Sequence, residues 1–329
     1  MLQLDQLTNL IIEPTAYCNL HCPQCPRFDQ EGYITADLNP SHLDVDLLEK
    51  NLNPSKLTSL QNVRFEGDHG DIMMHPSPSS LFDIFKNTQI IALTNGSMRS
   101  PIYWENLASR KNLTITFSVD GLANTNHIYR INSNFEKIMA NATAFIDAGG
   151  NATWKFIAFK HNEHQIEQAR KLSQDMGFLE FTIDHSNRSW FTGLKWAVKI
   201  DGEYQYDIEP SSVASLPMGF SPTQKIGGLL KLKLNDDKND LSKVCWPISR
   251  KAVYISHSGH VLPCCMSSAL VWGKNIQSKL WQKIIGNLDS ININKNTLED
   301  ILNSEFYQKN LLSSLHSNRK HPVCMTNCM

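Results

Sequence analysis

The chain has 329 residues, 41% of them hydrophobic, with 31 basic against 32 acidic side chains and a net charge of -1. That length supports one large domain and a smaller one, and interspersed charge offers no concentrated basic face for nucleic acid or an anionic membrane. No run approaches the ~20 apolar residues of a bilayer span. Met1-Leu2-Gln3-Leu4-Asp5 lacks the basic start and apolar stretch of a signal peptide, so a cytoplasmic protein is expected.

From residue 10 to about 184, short apolar runs alternate with helical patterns, the mark of a parallel sheet covered by crossover helices. Six strands are expected: Leu10 to Glu13, Asn62 to Phe65, Gln89 to Leu93, Leu113 to Val119, Thr153 to Phe159 and Leu179 to Ile183. Ser100 before Pro101 starts one helix. Ser133 with Glu136 reads as a capping box ahead of Phe135, Ile138, Met139, Ala142, Phe145 and Ile146, and Gly149 closes that helix. Asn162 with Gln165 opens another, which ends at Gly177. Six βα units fall two short of an eight-fold barrel, so the expected fold class is α/β, a partial barrel with an open side. Its domain would occupy residues 1–200, followed by an irregular connection over 201–240 rich in Pro, Gly and charge. A small α+β domain would fill 241–329, with Lys251 to Ile255 and His260 to Leu262 as a hairpin and Thr297 to Leu315 as a helix capped by Thr297.

Eight cysteines in a reducing compartment are better read as metal ligands than as disulfides, and they fall into two groups. The first is Cys18-Asn19-Leu20-His21-Cys22-Pro23-Gln24-Cys25, in a long loop after the first strand. Three thiolates leave a tetrahedral zinc one ligand short, whereas a 4Fe-4S cube tolerates one iron left open. The second strand ends in Phe65-Glu66-Gly67-Asp68-His69-Gly70-Asp71, the third in Thr94-Asn95-Gly96-Ser97 and the fourth in Ser118-Val119-Asp120-Gly121; each alone is an ordinary turn sequence. Arg130 follows in Tyr129-Arg130-Ile131.

The three-cysteine spacing resembles the cluster motif of the radical S-adenosylmethionine superfamily. That resemblance implies a six-unit barrel and a 4Fe-4S cluster on Cys18, Cys22 and Cys25. The open iron of that cluster would chelate S-adenosylmethionine and cleave it to a 5'-deoxyadenosyl radical after electron delivery by a flavodoxin or ferredoxin. It also implies cofactor contacts at Gly70 and Asp71 (the methionine amino group), at Asn95, Ser118 and Asp120 (the ribose and adenine side), and at Arg130 (the carboxylate). The chain departs from the family pattern at Gln24, where many members have an aromatic residue, at Asp71 for glutamate and at Ile72 for proline.

The second group is Cys245, then Gly259, Pro263-Cys264-Cys265 and Cys324-Met325-Thr326-Asn327-Cys328, with thirteen residues between Cys245 and Gly259 and four between Gly259 and Cys264. This spacing resembles the SPASM extension of anaerobic sulfatase maturases and peptide maturases, in its shortened twitch form. The resemblance implies a second, auxiliary 4Fe-4S cluster on Cys245, Cys264, Cys324 and Cys328, with Cys265 a buried thiol or substitute ligand. Four thiolates also suit a structural zinc, and spacing does not separate the two metals. At the rim, Lys155, His185 and Arg188 are candidates for substrate contact or proton transfer. The family analogy implies hydrogen abstraction from a peptide or protein side chain, with a small metabolite as the second substrate class. A non-catalytic iron-sulfur or zinc protein is the rival from another class.

Overall fold

The computed structural model describes residues 2–185, 195–212, 246–268 and 270–316. It divides into two compact units, one formed by 1–17, 36–92 and 234–329, the other by 18–35 and 93–233.

The first unit is built on β1 (Asn9–Ile12), β2 (Asn62–Phe65) and β3 (Gln89–Thr94), paired in parallel in that order. The apolar run Leu10 to Ile12 is buried. Full burial of such a side chain contributes about 1.5–3 kcal/mol. On the other side of β1 lies β9 (Ala252–Ile255), parallel to it, with β10 (Val261–Leu262) antiparallel beyond. The hairpin expected at 251–262 is therefore present, and it extends the β1 sheet. Gly259 sits at φ 86 in its turn, the left-handed region that glycine enters without steric cost. Thr297 caps the helix Leu298–Leu302 by accepting from the Asp300 amide at 3.2 Å, as expected. That helix is shorter than expected: a π-helical turn at Phe306–Asn310 intervenes before the next α-helix, Leu311–His316.

The second unit carries β4 (Leu113–Ser118), β5 (Asn151–Ala158) and β6 (Glu180–His185), again parallel in chain order. Strand β5 is buried at every second residue, with Trp154 and Phe156 at 0% exposure. The helix Phe135–Asp147 packs Ile138, Ala142 and Phe145 inward. Its cap is Asn134, whose side chain accepts from the Lys137 amide at 2.8 Å, in place of the Ser133 box expected; the Ser133 hydroxyl accepts instead from the Asn126 side chain at 2.9 Å. Asn162 stands at the opening of the next helical segment as expected, but its side chain makes no cap bond there: it accepts from Phe159 N and donates to the carbonyls of Ile157 and, across the fold, Asp120.

Part of the expected irregular connection is a regular hairpin, β7 (Trp196–Ile200) and β8 (Glu203–Ile208), turning on Asp201 and Gly202 at φ 50 and 85. Two successive positive φ values define the tight turn that Asp-Gly favours. Among the described residues, no helix is long and apolar enough to cross a membrane.

Candidate cofactor site

The cysteine loop belongs to the second unit, and bonds from several sides hold it. Cys25 N donates to Cys22 O at 3.0 Å and Phe28 N to Cys25 O at 3.0 Å, folding the last two cysteines into consecutive turns. The buried Arg27 guanidinium donates to Cys18 O at 3.0 Å and Leu20 O at 3.4 Å, a cross-brace between the two ends of the motif. His21 N donates to Ile131 O at 3.1 Å, and its ring stacks on Phe28 at 3.8 Å. The β7–β8 hairpin supports the loop's far end. Tyr33 donates to Asp201 O at 2.8 Å, Gly202 N to Glu31 O at 2.8 Å, and Lys199 pairs with Glu31 at 2.8 Å. A Cβ at Gly32 would overlap the Lys199 carbonyl.

None of the three thiols is in a disulfide, and each is partly exposed. Two of their sulfurs accept from nitrogen donors. Cys18 Sγ faces Leu20 N at 3.5 Å and the Asn95 side-chain nitrogen at 3.6 Å, and Cys22 Sγ faces Arg130 Nη1 at 3.9 Å. Burial pushes the Cys22 thiol up to about 11, against the pull of the Arg130 charge. A thiolate there requires a cation, so ligation releases a proton. These features fit an iron-sulfur cube: ligands on a constrained loop, one iron that the motif would leave open, and N–H donors aimed at sulfur, which tune a cluster's potential.

Around the loop, Asn95 also donates to Asn19 Oδ1 at 3.0 Å, and Ser118 ends β4 half-buried. Asp120, expected at the ribose side, is 0% exposed and accepts from Ile157 N at 2.6 Å and Arg130 Nε at 2.6 Å. Burial raises its pKa, and the Arg130 guanidinium opposes that rise; with two donors on its oxygens it serves as the carboxylate that orients Arg130. The Arg130 charge is correspondingly reinforced. Beside this pair, Tyr129, Phe159, Val198 and Ile208 form an apolar cluster against which Cys22 packs. Of the rim candidates, Lys155 pairs with Asp184 at 2.7 Å, and His185 closes β6 opposite Ala158. Arg188 lies outside the described residues.

In the first unit, the turn after β2 has no room for a side chain at Gly70, where a Cβ would overlap the Thr15 carbonyl. Asp71 N donates to Tyr17 O at 2.9 Å, and its buried carboxylate caps the turn Ile72–Met74 by accepting from Met73 N at 2.9 Å. In the same unit Cys264 lies against Ser267, whose hydroxyl bonds the Cys264 carbonyl at 2.7 Å. Burial and the neighbouring Asp68 raise the Cys265 thiol. Cys245, Cys324 and Cys328 lie outside the described residues.

Residues 245–329 match the family model of SPASM, an iron-sulfur cluster-binding domain. The fold is similar to that of Streptococcus suis SuiB bound to S-adenosylmethionine, at 15% identity and TM-score 0.60, covering 94% of this chain and 68% of that one. SuiB has also been solved with its precursor peptide SuiA, at TM-score 0.60, 15% identity and coverage of 94% and 67%. Native anSMEcpe with bound AdoMet matches at 13% identity and TM-score 0.51, covering 92% of this chain and 82% of that one. No curated protein sequence matches the chain. The chain thus shares the fold of these S-adenosylmethionine-bound proteins, and its residues 245–329 match the SPASM family model.

The sequence reading missed Arg27 as a loop brace and the β7–β8 hairpin as its support. Asp201-Gly202 between alternating runs was the available signal for the hairpin.

Proposed function

We propose that the protein is a radical S-adenosylmethionine enzyme of maturase type, acting on a peptide or protein side chain. The observation that carries this reading is the set of nitrogen donors, Leu20 N, Asn95 and Arg130, trained on the sulfurs of a braced three-cysteine loop. When bound, the cluster and S-adenosylmethionine supply a radical able to abstract hydrogen from an unactivated carbon.

The chain's own residues then have distinct tasks. Cys18, Cys22 and Cys25 hold the cluster, and Arg27 keeps the spacing of their loop. Asp120 locks Arg130 by its Nε, leaving the Nη side toward Cys22 to meet the cofactor carboxylate. Gly70 gives backbone access and Asp71 a negative charge for an ammonium group; Asn95 and Ser118 offer polar contacts for the rest of the cofactor. Residues 1–200 act as the barrel, and the segment from 241 holds an auxiliary 4Fe-4S cluster on Cys245, Cys264, Cys324 and Cys328, which passes electrons. A cytoplasmic flavodoxin or ferredoxin delivers the first electron. The peptide substrate class is supported by the SuiB fold match, since that protein is solved with a precursor peptide. Lys155, His185 and Arg188 are the nearest substrate candidates.

The test is anaerobic reconstitution with iron and sulfide, followed by dithionite and S-adenosylmethionine. Formation of 5'-deoxyadenosine is expected. Its absence from a chain loaded with iron would overturn the reading in favour of a non-catalytic metal protein.

A further inference from the structure

Three parallel strands of the first unit, β9, β1 and β2, lie side by side with Ile255, Ile12 and Phe65 in register. The residues just past their carboxyl ends are thereby gathered: Glu13 after β1, His69 in the loop after β2, and His257 after β9. All three are buried, at 0%, 3% and 2% exposure. One ligand atom from each, a carboxylate oxygen or a ring nitrogen, lies within 4.8 Å of the other two.

The hydrogen bonds around the cluster orient these groups. Glu13 Oε1 accepts from His69 N at 2.7 Å and lies 3.1 Å from His69 Nδ1, while Oε2 accepts from the Tyr254 hydroxyl at 2.9 Å. Ser41 donates its hydroxyl to His257 O at 3.0 Å, so with its single proton committed it accepts from His257 Nδ1, also at 3.0 Å. This fixes the tautomer. His257 carries its proton on Nδ1, and Nε2 is a bare lone pair that is buried and has no hydrogen-bond partner. The Trp272 ring stands edge to both imidazoles at 5.3 Å and walls the cluster with apolar surface.

A buried carboxylate needs a positive partner, and a buried imidazole lone pair needs a donor or a metal. Among the described residues the bonding partners of Glu13 are His69 and Tyr254, and neither lysine nor arginine is one of them. We propose that Glu13, His69 and His257 form a site for one divalent transition-metal ion of the zinc class, separate from both cysteine groups. Two neutral imidazoles and one carboxylate are a ligand set such ions favour. Ser41 on the far nitrogen of His257 and Tyr254 on the free oxygen of Glu13 are the outer partners that orient such ligands. Burial holds the His257 pKa down at about 4, which keeps its ring in the neutral form a metal requires. Metal bonds of ~2.0–2.1 Å would draw the three ligand atoms closer together than this span. The ion would tie the ends of three strands together and fix the turn that carries Gly70 and Asp71.

This proposal is independent of the radical chemistry, and its test reads the metal directly. Full-length chain, reconstituted with iron and sulfide, is given zinc and desalted; metal analysis and zinc X-ray absorption follow. About one zinc per chain with nitrogen and oxygen neighbours only is expected. That zinc should be lost in His257→Ala and in the milder Glu13→Gln, with iron content unchanged, and kept in Cys328→Ala. The proposal is overturned by zinc with sulfur neighbours, by zinc lost with the cysteine, or by folded wild type that binds none. Retention of stoichiometric zinc in both site variants would do the same.

Discussion

The two cysteine regions differ in what surrounds the sulfur. At the barrel loop, Cys18 and Cys22 meet amide and guanidinium N–H groups delivered by Asn95 and Arg130, the latter held by a buried carboxylate. In the SPASM segment, Cys264 precedes a short helical turn and lies against the Ser267 hydroxyl, and burial together with Asp68, itself bonded to Ser268, raises the adjoining Cys265 thiol. Cationic and amide donors stabilise added electrons on a cluster, and negative charge opposes them. On the proposed reading, the first region would accept an electron and use it locally. The second, with Asp68 beside Cys265, would on the same reading pass one on.

The sharpest way to break this comparison is Cys22→Ala. Two thiolates do not hold an open cube, so 5'-deoxyadenosine formation should fall to background and iron should drop from ~8 to ~4 per chain. Undiminished 5'-deoxyadenosine would remove the central claim. Cys264→Ala is the counterpart in the second region. Iron should again fall to ~4, but S-adenosylmethionine cleavage should persist while product on a peptide substrate does not form. About one zinc and ~4 irons in the wild-type chain, with that zinc on sulfur, would replace the auxiliary cluster by a structural zinc.

How far these regions were legible in the sequence follows from the range of the interactions. The six parallel strands were readable because each is a short apolar run closed by a polar turn; observed and expected ends differ by about two residues at most. Cys18, Cys22 and Cys25 stand out as a local motif, and the fold brings Arg130 to 3.9 Å from the Cys22 sulfur. Arg27 bracing the loop was not, since its acceptors are backbone carbonyls that only the fold identifies. The Ser133 box failed because a tertiary partner, Asn126, took its hydroxyl, leaving Asn134 to cap. Glu13, His69 and His257 are far apart in sequence and meet only because β9 docks beside β1.

A smaller effect separates positioning from contact within the first region. Asp120→Asn removes the counter-charge of a largely buried guanidinium, and breaking one partner of such a pair costs about 3 kcal/mol. Replacing both partners, with Asp120→Asn and Arg130→Met together, should recover part of that stability in denaturant unfolding while leaving S-adenosylmethionine binding weak. If the single variant binds the cofactor as tightly as wild type, Arg130 does not depend on Asp120 for its orientation.

The mildest prediction concerns the frame behind this region. Glu163 accepts from Ser211 Oγ at 2.7 Å, Ser212 N at 2.6 Å, Ser212 Oγ at 2.7 Å and Lys160 Nζ at 3.1 Å, fastening the segment after β8 to the turn that leads into the helix Ile166–Asp175. Partial burial raises its pKa, but the Ser212, Ser211 and Lys160 bonds outweigh that and hold it down at about 2, from 4.5. A folded-state value below the unfolded one means that the stabilisation is complete above pH 4.5 and is lost as pH falls toward 2. Glu163→Gln keeps an acceptor but loses the charge, so it should cost about 1–2 kcal/mol at neutral pH. The gap between wild type and variant in urea unfolding should narrow steadily below pH 4.5 and vanish near 2. A gap that is constant with pH would mean that the side chain's shape, and not its charge, holds the segment.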